Sequence, residues 1–185
     1  MSASYEQYLK EILIDESQLQ QRVAELGQQI SDDYQESDDL LLICILKGGV
    51  MFLTDLTRHI DVPHEIDFMA ASSYGVGKRK SSGAVRIDMD ITTTIEDRHI
   101  LIVEDIIDSG YTLRFVMDTL EARKPASLKL CALLNKASRR EVEIPMDYVG
   151  FDIENKFVFG YGLDLDEKYR NVPFIGVVDE DKLPK

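Results

Sequence analysis

Hydrophobic positions recur along this chain with two different periods, which predict a mixture of helices and strands. The apolar residues of 19–34 fall at helical spacing, and Ser17 with Gln20 has the spacing of a capping box at the helix start. Leu40–Leu46 is apolar throughout, which is typical of a strand buried on both faces. Val50–Ile60 returns to the helical pattern. These segments predict helix, strand and helix in that order.

The rest of the chain continues this alternation. Residues 66–70 and 85–91 alternate apolar with polar side chains like strands, and the polar segment 72–83 between them is typical of a long hairpin loop. Ile100–Val103 predicts another buried strand, and the apolar residues of 113–120 have helical spacing. Further strands are predicted at 128–134, 149–151, 157–159 and 174–178. The alternation implies an α/β fold, in which a mainly parallel sheet has helices on both faces and binds ligands beyond the carboxyl ends of its strands.

The charge balance is acidic and limits the partners of the protein. The formal net charge is −13, from 34 acidic against 21 basic side chains in 185 residues, which argues against a nucleic-acid or anionic-membrane surface. The length predicts one domain, 1–185. The N-terminus lacks the basic and apolar regions of a signal peptide, and Cys44 and Cys131 lie in apolar runs. We therefore expect a cytoplasmic protein with buried, reduced thiols.

The segment after Ile100–Val103 combines acidic, small and hydroxyl side chains. Glu104 and Asp105 end the apolar run, Asp108 follows, and residues 109–112 are Ser, Gly, Tyr and Thr. The pattern predicts strand, acidic loop, small-residue turn and helix, with the carboxylates beside one pocket. Amides of the turn and of the helix start can hold a phosphate, and carboxylates suit hydroxyls or a divalent cation. One short segment thus offers groups for a phosphorylated sugar.

Three alternatives share part of this pattern. An acidic strand end can be a solvated loop start with no chemistry. A Walker B strand has this form, but the chain contains neither a Gly-x-x-x-x-Gly-Lys-Ser/Thr phosphate loop nor a Gly-x-Gly-x-x-Gly dinucleotide turn. A receiver domain carries its acidic pair early in the chain, whereas these acidic residues lie past the middle. The position and composition of the segment favour the sugar-phosphate interpretation.

Two lysines follow predicted strands and have more than one interpretation. Lys47 with Gly48 and Gly49 follows the first buried strand and can hold an anion, although a plain strand-to-helix turn explains these residues equally well. Lys136 follows the strand at 128–134. It can donate to a carbonyl oxygen of a ligand, or it is a solvated loop lysine.

Two further segments contain clusters of aromatic or basic side chains. The aromatic side chains of 155–170 are either core or a stacking surface for a planar ligand, and Asp164 and Arg170 can serve a cation and a phosphate. The basic cluster at 78–80, Lys-Arg-Lys, lies in the polar loop. A solvated hairpin tip is the simpler interpretation, and a lid over a polyanionic substrate is the functional one.

Five segments together closely resemble the bacterial 6-oxopurine phosphoribosyltransferases. They are Ile-Leu-Lys-Gly-Gly (45–49), Asp-Phe-Met-Ala-Ala-Ser-Ser-Tyr-Gly (67–75), Val-Glu-Asp-Ile-Ile-Asp-Ser-Gly-Tyr-Thr (103–112), Leu-Leu-Asn-Lys (133–136) and Lys-Phe-Val-Phe-Gly-Tyr-Gly-Leu-Asp (156–164). The resemblance runs from Ile12 to Val178. It implies a type I phosphoribosyltransferase fold, with a mainly parallel central sheet flanked by helices. It also implies a small hood from about 1–16 and 150–185, and a mobile loop at 72–83.

The resemblance also implies the chemistry. The substrates would be phosphoribosyl pyrophosphate and a 6-oxopurine, hypoxanthine and also guanine, with Mg²⁺ as the cofactor and a homodimer or homotetramer as the assembly. Neither nucleic acid nor membrane would be a partner. The implied metal ligands are Glu104, Asp105 and Asp164. The implied substrate-binding residues are Lys47, Gly48, Ser73, Tyr74, Glu104, Asp105, Ile106, Ile107, Asp108, Ser109, Gly110, Tyr111, Thr112, Lys136, Phe157, Val158, Asp164 and Arg170.

Individual roles follow from the same resemblance. Asp108 would be the catalytic residue, and 108–112 would wrap the 5′-phosphate. Lys136 would donate to the purine 6-oxo group, Phe157 would stack on the ring, and Val158 would bond the base through its backbone. Leu46 to Gly48 would hold pyrophosphate through a cis peptide between Leu46 and Lys47, and Arg170 would also bind it. Ser73 and Tyr74 would belong to the lid. The competing class is a nucleotide-sensing regulator with this fold that contacts RNA or DNA, which would need a basic surface.

Overall fold

The computed structural model describes residues 5–37, 39–73 and 85–183. In chain order its strands and α-helices are β1 (Leu9–Ile14), α1 (Glu16–Asp33), β2 (Leu40–Leu46), α2 (Val50–Leu56), β3 (His64–Ser73), β4 (Val85–Met89), β5 (His99–Ile107), α3 (Tyr111–Glu121), β6 (Ser127–Asn135), β7 (Tyr148–Asp152), β8 (Val158–Phe159) and β9 (Ile175–Val178). Short 3-10 helices lie at Tyr5–Gln7, Thr57–His59, Ala137–Arg139 and Glu180–Lys182.

Six strands form the central sheet in the order β4-β3-β2-β5-β6-β7. Every neighbouring pair is parallel except β3 with β4, which is antiparallel. Helices α1 and α2 pack on one face, and α3 packs on the other. The chain therefore leaves β2 and β5, the two central strands, toward opposite faces of the sheet. A crevice opens beyond the carboxyl ends of such strands, which is where ligands bind in sheets of this kind.

A second, antiparallel sheet has the order β1-β9-β8. It has its own small core, which includes Phe159, Leu165, Val172 and Val178. Strand β1 was not predicted from the sequence. Only one of its six residues is fully buried, and its register shifts twice against β9, so the strand carries no clean alternation of apolar and polar positions. Whether this sheet acts as a hood over a substrate stays a prediction.

The mixed α/β prediction is confirmed, with local corrections at several boundaries. The predicted capping box at Ser17 and Gln20 is wrong, because Asp15 caps the helix instead: Gln18 N donates to Asp15 Oδ1 at 2.9 Å, and Asp15 N donates to Gln18 Oε1 at 3.0 Å. The helical pattern of Val50–Ile60 divides into α2 and the 3-10 turn Thr57–His59.

The predicted loop at 72–83 falls largely outside the described residues. Ser72 and Ser73 belong to β3, so the strand runs further than the alternation at 66–70 indicated. The lid residue Tyr74 and the basic cluster 78–80 are not among the described residues. Their assignment to a lid remains a prediction.

Two other expectations from the sequence concern the thiols and the membrane. Cys44 and Cys131 are buried and free, as predicted. Burial raises the pKa of the Cys44 thiol to about 12 and also raises that of Cys131, so both thiols are poorly reactive. In the part of the chain that the structure describes, no helix has the length and apolar character needed to cross a membrane.

Candidate active site

A small cavity of about 210 Å³ lies beyond the carboxyl end of β5. Its lining includes Glu104, Asp108 and, from the segment that starts α3, Ser109, Gly110 and Thr112. Gly110 caps α3 with φ +93°, and a Cβ there would lie 2.9 Å from the carbonyl oxygen of Val142. Glycine is required at this position by both backbone conformation and space. The predicted sequence of strand, turn and helix is therefore present, and its turn opens into a cavity.

The strand itself runs further than predicted. β5 continues through Glu104 and Asp105 to Ile107 instead of ending at the carboxylates. Since side chains alternate along a strand, the two carboxylates do not sit side by side in one pocket as predicted. Glu104 lies on the α3 side and lines the cavity, while Asp105 lies toward Gly48. A Cβ on Gly48 would fall 1.6 Å from Asp105 Oδ2, so the second residue of the Lys-Gly-Gly turn must be glycine.

Asp105 is buried, Glu104 is half-buried with its Oε2 shielded from solvent, and the pKa values of both carboxyl groups are raised. For Glu104 the larger cause is burial and the second is the negative charge of Asp105. For Asp105 burial again dominates, and Asp164 also raises the pKa, while a hydrogen bond from Ile106 N at 2.8 Å and the positive charge of Arg170 oppose the rise. Glu104 Oε2 is buried without a hydrogen-bond partner among the described residues. A buried acceptor of this kind needs a cation or a hydroxyl donor.

Glu104→Gln is expected to raise the free energy of unfolding at pH values above the folded-state pKa of Glu104, because there it removes one of two repelling carboxylate charges. A raised carboxyl pKa gives stability that is complete below the unfolded pKa and is lost as pH rises through the folded pKa. Each 1 kcal/mol gained should raise the thermal midpoint by about 2–4 °C for a chain of this length. Thermal denaturation at a series of pH values, from below the unfolded pKa to above the folded pKa, measures both the gain and its pH dependence.

Glu96→Gln is the matched control, since Glu96 is exposed. It should leave the midpoint unchanged. A lower midpoint for Glu104→Gln than for the parent would mean that the Glu104 carboxylate stabilises the folded protein, contrary to this prediction.

A second group of charges lies where the turn after β2 meets the segment after β8. The Leu46–Lys47 peptide is cis, as the resemblance implied. Gly162, with φ +102°, approaches so closely that a Cβ would lie 2.0 Å from Gly48 O. Arg170 is held by Gly162 O, to which its Nη1 donates at 2.8 Å, and by an ion pair with Asp164 Oδ1 at 2.9 Å. The structure thus brings together Lys47, Gly48, Asp164 and Arg170.

Asp108 lies among cations on the other side of the cavity. Its Oδ1 accepts a hydrogen bond from Arg139 Nε at 3.1 Å, and its side chain is about half exposed. Lys136 is 7% exposed, so the alternative of a solvated loop lysine is wrong. Burial lowers the pKa of Lys136, with Arg139 also lowering it and Asp108 raising it. The Lys136 N–H donates to Ile107 O at 3.0 Å, which fixes the lysine next to the end of β5.

The aromatic residues of 155–170 divide between the two interpretations that the sequence left open. Phe159 and Tyr161 are core residues, and the Tyr161 hydroxyl donates to Asp55 Oδ2 at 2.7 Å. Phe157 is 43% exposed and can offer its ring to a planar ligand. Val158 is buried in β8, where it pairs with Val177.

Three contributors to the site were missed by sequence reasoning. Arg139 contacts Asp108 directly, Glu167 contacts Lys47, and Arg140 Nη2 donates to Asn135 Oδ1 at 2.6 Å and to Ile107 O at 3.4 Å. The consecutive arginines just after Lys136 were a visible signal, since basic residues cluster there in an acidic protein. Nothing local in the sequence indicated the contact of Glu167.

The predicted metal ligands fit a cation only in combination with another molecule. Among the described residues, no three His, Cys, Asp or Glu side chains form a group that could hold a metal ion, so Glu104, Asp105 and Asp164 do not make a cage of their own. Mg²⁺ is commonly bound through one or two carboxylates together with water and substrate phosphates. The unpartnered Glu104 oxygen and the buried Asp105 suit that mode.

The chain is similar to known proteins over most of its length. The sequence model of the phosphoribosyl transferase domain matches residues 11–166. Hypoxanthine phosphoribosyltransferase of Haemophilus influenzae is 49% identical over 170 residues, covering 91% of this chain and 94% of that protein. Hypoxanthine-guanine phosphoribosyltransferase of Mycobacterium tuberculosis is 49% identical over 176 residues, covering 92% and 87%. A crystal structure of hypoxanthine phosphoribosyltransferase from Staphylococcus aureus has a TM-score of 0.93 at 42% identity, with 100% of both chains covered.

A mainly parallel sheet with a glycine turn and acidic side chains at its carboxyl edge is typical of nucleotide- and sugar-phosphate-binding α/β proteins. With the matches above, this chain belongs to the phosphoribosyl transferase family, and within it to the hypoxanthine phosphoribosyltransferases. The type I phosphoribosyltransferase fold implied by the five sequence segments is thereby confirmed.

Proposed function

We propose that this protein is an enzyme of purine salvage that transfers the 5-phosphoribosyl group of phosphoribosyl pyrophosphate to N9 of hypoxanthine, and also of guanine. The products are IMP or GMP and pyrophosphate. The names of the relatives from Haemophilus influenzae and Mycobacterium tuberculosis support this activity. The observation that carries the proposal is one cavity lined by Asp108, by Ser109, Gly110 and Thr112 at the start of α3, and by Glu104, whose Oε2 has no hydrogen-bond partner among the described residues. No observation favours the regulator alternative.

The sugar phosphate would bind in this cavity. Amides of the turn 109–112 at the start of α3 would hold the 5′-phosphate, with Ile106 and Ile107 supplying the wall. Glu104 would face the ribose hydroxyls from the cavity, and Asp105, which lies toward Gly48, would hold Mg²⁺ beside them. A hydroxyl that donates to Glu104 Oε2 would give this buried oxygen the partner it lacks among the described residues.

The purine would bind between Phe157 and the end of β6. Lys136 would donate to the 6-oxo group, which selects 6-oxopurines over adenine, and Phe157 would stack on the ring. The Val158 backbone would bond the edge of the base. Asp108, which accepts a hydrogen bond from Arg139, would accept the N7 proton as N9 attacks the anomeric carbon.

Lys47, Gly48 and Arg170 would hold the departing pyrophosphate. The bond between the anomeric carbon and the pyrophosphate oxygen breaks before the bond from N9 is fully formed. Positive charge therefore develops on the sugar ring. Mg²⁺ bound near Glu104, Asp105 and Asp164 would neutralise the leaving group. Cations at the pyrophosphate stabilise this charge separation, and exclusion of water protects the sugar from hydrolysis. Ser73 and Tyr74, with the rest of 72–83, are proposed to cover the site, which remains a prediction.

Two finer proposals complete the assignment. We propose a cytoplasmic location, which suits a chain with two free thiols. We also propose a homodimer or homotetramer; oligomeric state is a subject of the structural work on the Trypanosoma cruzi relative, which is 40% identical with a TM-score of 0.89. Sedimentation equilibrium of the purified protein decides between the assemblies.

Release of pyrophosphate from phosphoribosyl pyrophosphate tests the proposed reaction. We expect release with hypoxanthine and with guanine, and none with adenine, because a 6-amino group cannot accept from Lys136. Xanthine, assayed alongside, ranks the tolerance at position 2 of the ring. Failure with all 6-oxopurines at saturating substrate would remove the enzymatic assignment.

Phosphoribosyl pyrophosphate should bind more weakly when Mg²⁺ is removed. Without the cation, the negative pyrophosphate and the carboxylates of Glu104, Asp105 and Asp164 repel each other. Calorimetric titration in chelator, and again after excess Mg²⁺ is restored, measures the difference. Equal affinity in the two conditions would contradict the metal assignment.

A further inference from the structure

One acidic side chain lies between the two cations assigned to pyrophosphate. Glu167 Oε2 is 2.8 Å from Lys47 Nζ and 3.4 Å from Arg170 Nη2. The two cations come from segments 123 positions apart in numbering, Lys47 and Arg170, and one carboxylate oxygen bridges them. A carboxylate oxygen and a pyrophosphate oxygen make the same kind of charge-assisted hydrogen bond to such donors. Glu167 therefore satisfies, in the ligand-free protein, the groups that would otherwise be open to an anion.

The backbone around Glu167 holds the side chain at this place. Glu167 has φ +61°, a left-handed conformation, within a turn closed by hydrogen bonds between Leu165 and Lys168. Its N–H donates to Asp164 Oδ2 at 2.9 Å, while Asp164 Oδ1 pairs with Arg170. The turn thus links Glu167 to the same arginine through both its backbone and its side chain. The turn therefore fixes the Glu167 backbone beside the two cations.

We propose that Glu167 is a positioning residue that occupies the place of a pyrophosphate oxygen in the free protein and competes with pyrophosphate for Lys47 and Arg170. This inference rests on the proposed function, which assigns those two cations to pyrophosphate. Its consequence is weaker binding and faster release of pyrophosphate. The Lys47 and Glu167 side chains are 68% and 67% exposed, so the contact is screened by solvent and its displacement is easy.

Calorimetric titration with magnesium pyrophosphate tests the competition directly. Glu167→Gln keeps the shape of the side chain and removes its charge, and we expect its dissociation constant to fall by about two- to fivefold, the span of exposed ion pairs. Tighter binding is a gain that general structural damage would not produce. Glu167→Asn, a residue type that tolerates left-handed backbone, withdraws the side chain from both cations and should show the same gain.

Asp166→Asn is the matched control. Asp166 is exposed, has φ +53° in the same turn, and loses the same charge on substitution, but the structure gives it no ion pair among the described residues. Its affinity for magnesium pyrophosphate should match the parent. Equal gains in Asp166→Asn and Glu167→Gln would reflect net charge and overturn the proposal.

Two other outcomes also decide the matter. Both Glu167 variants could bind magnesium pyrophosphate as the parent does, or more weakly. Glu167 would then not compete with pyrophosphate, and this proposal would fail while the assignment of the two cations to pyrophosphate stands. Absence of pyrophosphate binding by the parent protein would overturn the pyrophosphate assignment itself. The two failures are therefore distinguishable by which protein loses the signal.

Discussion

Replacing Asp108 by Asn is expected to lower kcat by about two to four orders of magnitude, the usual span of a general base. The amide keeps the shape of the side chain and can still bond to Arg139, but it cannot take the purine N7 proton. Asp108 is about half exposed and contributes little packing, so the variant should fold as the parent does. Steady-state turnover at saturating substrates, with thermal denaturation alongside, measures both effects.

Asp118→Asn controls for loss of an ion-paired carboxylate. Asp118 pairs with Arg114 Nη2 at 2.8 Å on the exposed face of α3, at similar exposure to Asp108 but outside the cavity lining. Its turnover should stay close to that of the parent. If Asp108→Asn also retained near-parental turnover, proton transfer would have to be assigned to another group.

Lys136→Ala is expected to raise KM for hypoxanthine by about 10- to 150-fold, because a lost hydrogen bond to a charged donor costs about 1.5–3 kcal/mol. KM for phosphoribosyl pyrophosphate should change far less. The difference is expected because Lys136, buried beside the end of β5, would contact the purine and not phosphoribosyl pyrophosphate. Varying each substrate in turn at a fixed excess of the other separates the two constants.

Lys129→Ala is the companion variant from the same strand. Lys129 lies near the opposite end of β6, where it pairs with Asp33 at 3.2 Å and contacts the Tyr34 ring. Lys129→Ala should leave both KM values unchanged, although it should lower the stability of the protein. Equal increases in both constants for Lys136→Ala would mean that this lysine shapes the site without touching the base.

The sequence was informative where a pattern is local. Uninterrupted apolar runs predicted β2 and the start of β5, and helical spacing predicted α1 and α3, because burial on a sheet or a helix face requires those periods. The extension of β5 through Glu104 and Asp105 was missed, since two adjacent carboxylates normally indicate a loop. For Asp105 the positive charge of Arg170, from a distant segment, favours the buried carboxylate, which a local pattern cannot show.

Contacts between distant segments account for the remaining errors. Lys136 was left open because its burial depends on how the segment after β6 folds back onto Ile107, and not on its immediate neighbours. Glu167 was missed because its contact with Lys47 spans the fold, and because a left-handed turn of non-glycine residues has no strong sequence signal. Composition alone would place such a glutamate on a solvated surface.

The segment after β6 also ties the two halves of the site to each other. Lys136 N–H donates to Ile107 O, and the N–H groups of Glu141 and Val142 donate to Ser109 O at 3.0 and 3.1 Å. A base that immobilises Lys136 therefore also stiffens the turn that receives the phosphate, and the converse holds. We expect positive thermodynamic coupling between purine and sugar-phosphate binding, of equal size in either order of addition, because linkage between two sites is reciprocal.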